Sequence, residues 1–247
     1  MKNKSIIIFL SVLSCFLAIN VIKDHSFQLN TINTTNNQKK QVLNVKKETK
    51  QKTKNELVYS PMGDSLTKGL NATKESNRYT AVLSQLIEKK FGYHVTQKGI
   101  YKSGSTLWQF GLPNYNLINK QNPDLITIEY GTNDLQLGKR YETPYLFKYN
   151  LLLLLNKIQK ENRKIILVTT WNRGARSAPY DKVIKEVGQN RNIPVADISS
   201  VWKNRTDTYG PRGLKTPYGI SDNFHPNNKG HKEIAEIIFK QVYQLYK

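Results

Sequence analysis

The stretch from Asp124 to Asp134, DLITIEYGTND, joins a short apolar run to a polar turn. Residues 124–130 are rich in isoleucine, and Gly131 ends the run. Such a run, bounded by glycine, is typical of a strand in a parallel sheet that helices cover on both faces. The sequence therefore predicts a central strand here, with Asn133 just past its carboxyl end.

Similar apolar runs lie on both sides of this stretch and are separated by segments with helical periodicity. The predicted strands are 57–63, 93–100, 124–130, 164–170 and 193–198, and the clearest helical patterns are 79–91, 147–158 and 234–245. Strands that alternate with helices predict βαβ units, and hence an α/β fold with a parallel sheet between two helical layers. Pro61 lacks a backbone donor, so we expect it just past the last pairing of its strand.

Polar side chains follow the predicted strands in four blocks. These blocks are Gly63–Leu66, Ser103–Ser105, Gly131–Asp134 and, in a later loop, Asp222–His225. Because the carboxyl ends of parallel strands meet at one edge of a sheet, we expect the blocks to converge there. A serine, a glycine, an asparagine and an Asp/His pair are the groups that serine acyl transfer needs.

Each group has a role that its chemistry suits. Ser65 is the candidate nucleophile, His225 the base that removes its proton, and Asp222 the carboxylate that orients the imidazole. The backbone N–H groups of Ser65 and Gly104 and the side-chain amide of Asn133 are the candidate oxyanion donors. Ser65 and Asn133 are expected at solvent-facing strand ends.

Each residue also has a structural interpretation. Ser65 could cap a helix, Asn133 could belong to a plain turn, and His225 could be a surface histidine. For Asp64 and Asp134 we favour hydrogen bonds to loop backbone, and His94 and His231 are predicted to be non-catalytic. An aromatic platform for an acyl group or a sugar is predicted at Trp171 or in the loop 200–221.

Taken in order, the four blocks resemble those of the SGNH/GDSL hydrolase family over essentially all of residues 57–247. The resemblance implies a three-layer α/β/α, flavodoxin-like fold with a parallel sheet of about five strands. It also implies a Ser65–His225–Asp222 triad, an oxyanion hole of Ser65, Gly104 and Asn133, and no metal or cofactor. Members of the family are esterases, lipases, carbohydrate deacetylases and acyltransferases.

The amino-terminal segment, residues 1–24, is predicted to be a membrane anchor or a signal peptide. Lys2 and Lys4 precede an uncharged run at 5–22, which approaches the roughly 20 residues that span a bilayer. This run is longer than a usual secretory core and has no small-x-small cleavage site. An uncleaved anchor with the catalytic part outside the cytoplasm is favoured, and a cleaved signal peptide is the alternative.

The next segment, residues 25–56, has the composition of a linker. It is rich in Asn, Thr, Gln and Lys and has little apolar content, so it cannot bury enough surface to offset its ordering entropy. The whole chain has a net charge of +20, from 38 Lys and Arg against 18 Asp and Glu. Such a balance favours anionic partners, here an anionic cell-envelope polymer rather than nucleic acid.

Several function classes are excluded by what the sequence lacks. A single cysteine leaves no disulfide framework and no cysteine-based zinc site, and there is no HExxH or P-loop motif. The leading hypothesis is an extracytoplasmic serine esterase that removes short acyl groups from cell-envelope glycans. The alternatives are an O-acyltransferase that uses the same triad, and a non-catalytic basic module that binds the cell wall.

Overall fold

A computed structural model of the chain describes residues 55–247. The predicted membrane segment and residues 25–54 of the predicted linker lie outside these residues. The sequence predicts that the linker ends at residue 56, but Glu56 already belongs to the first strand. Within residues 55–247, no helix has the length and hydropathy needed to cross a bilayer.

The described residues alternate between strands and helices. The strands are β1 (Glu56–Gly63), β2 (His94–Gln97), β3 (Ile100–Tyr101), β4 (Leu125–Glu129), β5 (Lys164–Val168), β6 (Val195–Ala196), β7 (Lys215–Thr216) and β8 (Gly219–Ile220). The α-helices are α1 (Ser65–Lys68), α2 (Tyr79–Phe91), α3 (Tyr115–Gln121), α4 (Pro144–Ile158), α5 (Ser177–Arg191), α6 (Ser199–Trp202) and α7 (Asn228–Tyr246). Short turns of 3₁₀ or π helix lie at 75–77, 107–111 and 174–176.

The main sheet is parallel and has the order β2-β1-β4-β5-β6. β3 continues the edge that β2 begins, because it pairs with the last residues of β1. The two short segments therefore act as one edge strand, and the sheet has the 2-1-3-4-5 order of flavodoxin-like folds. The predicted α/β architecture with about five parallel strands is confirmed.

The core consists of two apolar clusters, one on each face of the sheet. In β4, Ile126 and Ile128 belong to the cluster covered by α3, α4 and α5, whereas Leu125 belongs to the cluster covered by α2, α6 and α7. Side chains of a strand alternate between the two faces, so a strand that is apolar at most positions must be covered on both. All five residues of β4 are buried.

Pro61 lies inside β1, where it pairs with Thr127 of β4, so its predicted position past the last pairing is wrong. Its ring faces Gly99, in the interruption between β2 and β3, where a Cβ would lie 2.3 Å from the Pro61 carbonyl oxygen. The side chain of Gln121 fills the gap: it accepts from the Gly99 N–H at 2.8 Å and donates to the Gly99 carbonyl at 3.2 Å. The edge strand thus breaks at the point where proline cannot donate.

His231 is a fully buried structural residue near the start of α7, as predicted for a non-catalytic histidine. Its Nδ1 accepts a hydrogen bond from the backbone N–H of Tyr79 at 3.3 Å, and its Nε2 donates to the Leu70 carbonyl at 2.9 Å. Burial, more than any nearby charge, lowers the pKa of His231 from 6.5 to about 4. The neutral imidazole therefore joins α7 to α2 and to the loop after α1.

This burial predicts an acid-sensitive stability. In the unfolded chain His231 is protonated below pH 6.5, whereas in the folded protein it stays neutral down to about pH 4. The free energy of unfolding therefore falls as the pH is lowered across that interval. At pH 4.5 the loss due to His231 should be about 2–3 kcal/mol relative to pH 7. Urea unfolding of wild type and His231→Gln at both pH values measures it, with exposed His94→Gln as the control. An equal pH loss in wild type and His231→Gln would contradict the assignment.

Candidate active site

Ser65, His225 and Asp222 form a hydrogen-bonded chain at the carboxyl edge of the sheet. His225 Nε2 lies 2.8 Å from Ser65 Oγ, and His225 Nδ1 lies 2.7 Å from Asp222 Oδ2. These distances allow Nδ1–H to donate to the carboxylate while Nε2 accepts the serine proton. The three residues thus have the geometry of a catalytic triad, although 160 positions separate Ser65 from His225.

Ser65 is the first residue of α1, and Asp64 alone separates it from β1. Asp64 caps this short helix, since its Oδ1 accepts the Leu66 N–H at 2.9 Å. The side chain of Ser65 is only 6% exposed, so the predicted solvent-facing position is wrong. The hydroxyl of Ser65 is therefore largely buried. The helix cap, which was the alternative role for Ser65, is provided by Asp64.

The turn Asp222–His225 presents the base. Asp222 Oδ1 accepts the backbone N–H groups of Phe224 at 2.9 Å and of His225 at 2.8 Å. Partial burial raises the pKa of Asp222, but these two N–H donors and the neighbouring His225 outweigh that effect and bring it to about 2. Asp222 is therefore ionised at neutral pH, as an orienting carboxylate has to be.

Asn71 is a site residue that the sequence analysis missed. It has a positive φ of 66° and is buried. Its Nδ2 donates to the carbonyl oxygens of Asp222 at 2.9 Å and His225 at 3.1 Å, and its Oδ1 accepts the Asp222 N–H at 3.1 Å. Asn71 thus fastens the turn that carries the base to the loop after the nucleophile. In the sequence, only the short distance of Asn71 from the Gly63–Leu66 block could have indicated this role.

The candidate oxyanion donors surround Ser65. Within the described residues, the backbone N–H groups of Ser65 and Gly104 have no protein acceptor and remain free for a ligand. Gly104 has a φ of +71°, a conformation that favours glycine. A Cβ there would also lie 3.1 Å from the guanidinium of Arg140. The positive φ therefore favours glycine at this position, and a side chain there would in addition displace the guanidinium of Arg140.

Asn133 lies beside Ser65, but both of its amide hydrogens have acceptors. Nδ2 donates to Asp64 Oδ2 at 2.6 Å and to the Ser105 carbonyl at 3.1 Å. The side chain is 5% exposed, so its predicted solvent-facing position is also wrong. To stabilise an oxyanion, the amide would have to share the hydrogen that it now gives to Ser105. Its role as the third donor stays a prediction.

We expect Asn133→Ala to lower kcat by about 10²–10³-fold with little change in KM, because an oxyanion exists mainly in the transition state. It should also lower Tm, since Asp64 and the Ser105 carbonyl lose a buried partner, at about 1–3 kcal/mol. Steady-state kinetics and thermal unfolding separate the two effects. Asn133→Asp should be at least as damaging, because it places a carboxylate against Asp64. An increase in KM alone would instead identify a ground-state binding residue.

Buried carboxyl groups support the loops around the site. Asp134 Oδ1 and Oδ2 accept the N–H groups of Leu107 and Gly131 at 2.8 and 2.9 Å, which agrees with its predicted structural role. Glu129, at the end of β4, accepts from Thr67 Oγ1 at 3.1 Å. Burial, together with the charge of Asp64, raises the pKa of Glu129 well above its usual range. Burial raises the pKa of the neighbouring Asp64 as well, and we infer that this pair of buried carboxyl groups holds a proton.

The predicted aromatic platform at Trp171 is not present, because this ring is fully buried. Its Nε1 donates to the Phe224 carbonyl at 2.7 Å, so Trp171 stabilises the turn that carries His225. Exposed aromatic side chains lie elsewhere, and Trp108 and Tyr141 are among them. Their segments touch, because the Gln109 side chain donates to the Lys139 carbonyl at 3.1 Å.

A groove of about 1020 Å³ lies between α5 and the segment 202–209, and residues of the 171–176 loop line part of it. Trp202 and Tyr209 are among its lining residues, but Ser65 and His225 are not. The chemistry therefore lies outside this groove, at the hydrogen-bonded chain described above. Within residues 55–247, no group of three or more His, Cys, Asp or Glu side chains could hold a metal ion.

Comparison with known proteins identifies the family of this chain. Residues 62–233 match the GDSL-like lipase/acylhydrolase family, and the matched segment contains every candidate site residue. A multidomain esterase of Ruminococcus flavefaciens is 27% identical over 137 residues, which are 51% of this chain and 16% of that protein. A rhamnogalacturonan acetylesterase of Bacillus subtilis is 24% identical over 145 residues, which are 49% of this chain and 62% of that protein. The chain thus spans less than two thirds of either relative.

Solved structures support the fold. A family 3 carbohydrate esterase of Clostridium thermocellum superposes with a TM-score of 0.62 at 20% identity, covering 77% of this chain and 96% of that one. Identity this low is informative about fold alone, whereas the family match covers more than half of the chain. The resemblance seen in the four sequence blocks is confirmed. The chain belongs to the GDSL-like lipase/acylhydrolase family.

Proposed function

We propose that this protein hydrolyses esters through an acyl-enzyme on Ser65 and removes short acyl groups, such as acetate, from cell-envelope glycans. The observation that carries the reaction is the hydrogen-bonded chain from Ser65 Oγ to His225 at 2.8 Å and on to Asp222 at 2.7 Å. His225 takes the serine proton as Ser65 attacks the ester carbonyl, and returns it to the leaving alcohol. Water, activated by the same imidazole, then releases the acid and restores Ser65.

The glycan part of the proposal has two supports. The relatives named above include an acetylesterase that acts on rhamnogalacturonan, and the structural neighbour is a carbohydrate esterase. The exposed rings of Trp108 and Tyr141, which lie on two segments that touch, offer a sugar an amphipathic surface to pack against. The net charge of +20 suits an envelope that is rich in anionic polymers.

The test is release of acetate and other short acids from isolated cell walls by the full-length protein, with Ser65→Ala as the control. Wild type should release acid above buffer, and the variant should not. An acyltransferase would instead move the acyl group to an added sugar acceptor and release little acid, because water would be kept from the acyl-enzyme. A non-catalytic wall-binding module would sediment with walls, release nothing and leave p-nitrophenyl acetate intact.

We also propose that the segment 1–24 anchors the enzyme to the membrane and that 25–54 tethers the catalytic part outside the cytoplasm. The support is the uncharged run at 5–22 and the Lys-rich, apolar-poor composition that follows it.

The full-length protein is expected to stay with membranes after a high-salt wash, because a spanning segment is not held by charge. A fragment that begins at Asn55 should leave them, and this start is suitable because the Asn55 carbonyl accepts the His94 N–H at 2.8 Å. Immunoblots of membrane and supernatant fractions measure both. A mature amino terminus near residue 25 in the culture medium would show cleavage and overturn the anchor.

A further inference from the structure

Three arginines at the mouth of the active site have no acidic partner. Within the part of the chain that the structure describes, Arg140, Arg173 and Arg176 form no ion pair, whereas Arg78 and Arg205 do. Arg140 and Arg176 are exposed, and Arg173 is half-buried. Unpaired guanidinium groups that share one site are available to an anion from solution.

Arg140 lies on the oxyanion side of Ser65. Its guanidinium packs against Gly104, with one terminal nitrogen 3.1 Å from the position that a Cβ would occupy. Gly104 is the candidate oxyanion residue whose N–H is free. Arg140 therefore stands at the edge of the pocket in which the ester carbonyl would bind.

Arg173 lies next to the base. Its guanidinium carbon is 4.1 Å from the centre of the Phe224 ring, and that ring packs edge-on against His225 at 5.0 Å. Its Nε donates to the Thr132 carbonyl at 3.2 Å, which fixes the plane of the guanidinium. Within the described residues its two terminal nitrogens have no acceptor, so they can bind a ligand.

The arginines also affect one another. Burial is the main cause that lowers the pKa of Arg173, and the charges of Arg176 and Arg140 lower it further, while buried Asp64 opposes them. Like charges brought together disfavour each other unless an anion lies between them. Asp64 cannot serve as that anion, because its carboxylate is already engaged by Asn133 and by the Leu66 N–H.

We propose that Arg140 and Arg173, assisted by Arg176, form an anion subsite that binds a carboxylate or phosphate carried by the substrate close to the scissile ester. The natural substrate is then an acylated acidic polymer rather than a neutral glycan. The planar fork of arginine binds either group through two parallel hydrogen bonds. This inference rests on the proposed reaction at Ser65 and names the substrate class of that reaction.

Three matched esters test the subsite with the full-length protein. They are methyl 2-O-acetyl-glucoside, the corresponding methyl 2-O-acetyl-glucuronide, and the 6-phosphate of the first. We expect kcat/KM to be at least about tenfold higher for one or both acidic esters, mainly through KM, and the preference to shrink at high salt. The ester that is preferred identifies the anion as carboxylate or phosphate.

The variants Arg140→Gln and Arg173→Gln should each lower the ratio of kcat/KM for the acidic esters to kcat/KM for the neutral ester toward one. Arg173→Lys keeps the charge but loses the fork, and should show an intermediate preference. Lys139→Gln removes an exposed charge next to Arg140 and is the matched control, for which no change is expected. If Arg140→Gln slows neutral and acidic esters equally through kcat, Arg140 is an oxyanion donor and the subsite is overturned.

A binding measurement separates failure of this inference from failure of the proposed function. The non-acetylated glucuronide and 6-phosphate are titrated into Ser65→Ala protein by calorimetry, where no turnover is needed. Binding that disappears in Ser65→Ala/Arg173→Gln supports the subsite even if the wild type releases no acid from walls. Equal kcat/KM for all three esters in wild type, with no binding of either acid, rejects the subsite while the esterase activity stands.

Discussion

Replacing Ser65 by alanine is expected to lower kcat for ester hydrolysis by roughly 10⁴- to 10⁶-fold, the loss seen when the nucleophile of a comparable triad is removed. The Ser65 hydroxyl is the group that His225 Nε2 contacts at 2.8 Å, and within the described residues no second hydroxyl lies within hydrogen-bond distance of that nitrogen. Turnover of p-nitrophenyl acetate by the purified full-length protein measures the effect.

The fold should survive this change. Ser65 contributes one oxygen to the site, whereas Asp64 supplies the cap that begins α1. Circular dichroism and Tm should therefore match those of wild type. Ser103→Ala, on the exposed part of the same edge, is the control and should keep full activity. Wild-type rates in Ser65→Ala would show that the nucleophile lies elsewhere.

The second large effect is expected from Asp222→Asn, at about 10⁴-fold in kcat. Asp222 Oδ2 accepts from His225 Nδ1, and Oδ1 accepts two backbone N–H groups. An amide has only one oxygen. Its NH₂ group must therefore face either the imidazole Nδ1–H or the two backbone N–H groups, and all of these are donors. If the NH₂ group faces the imidazole, Nδ1 becomes an acceptor and Nε2 carries the proton, and His225 can no longer remove the proton of Ser65.

Asp222→Ala should lose less than Asp222→Asn, because water can partly replace the carboxylate and no donor forces the wrong tautomer. Imidazole nitrogen shifts of His225, measured by NMR, report the tautomer directly in each variant. If Asp222→Asn retains activity within tenfold of wild type, Asp222 shapes the turn and does not orient the base.

The sequence predicted most of the fold because the elements with strong periodicity depend on burial alone. β4 and α7 were found within a few residues, since their apolar residues face the core at strand or helix spacing. Helix α5 was not identified. Its buried residues Tyr180, Val183, Ile184 and Val187 have helical spacing but are separated by charged and small residues that dilute the signal.

The candidate site was predicted in part. Ser65, His225 and Asp222 could be named because motif spacing carries their chemistry, and the structure brings them together. The hydrogen bonds of Asn133 could not be foreseen, because its acceptors come from two other loops. The roles of Arg140 and Arg173 could not be predicted from the sequence for the same reason. Their surroundings depend on how loops pack after the sheet has formed, and 38 basic residues gave no means to select two.

The way in which Asn71 fastens the turn of the base has a consequence for synthesis on the ribosome. The partners of Asn71 are Asp222 and His225, and α7, which follows them, packs its apolar residues into the same core cluster as α2. Translation delivers Ser65 before the base that it contacts, which lies 160 residues later. A nascent chain therefore holds a nucleophile without a proton acceptor, and every product of premature termination before residue 225 is inert. In the mechanism proposed above, ester cleavage can begin only after His225 has been made and its turn has docked on Asn71.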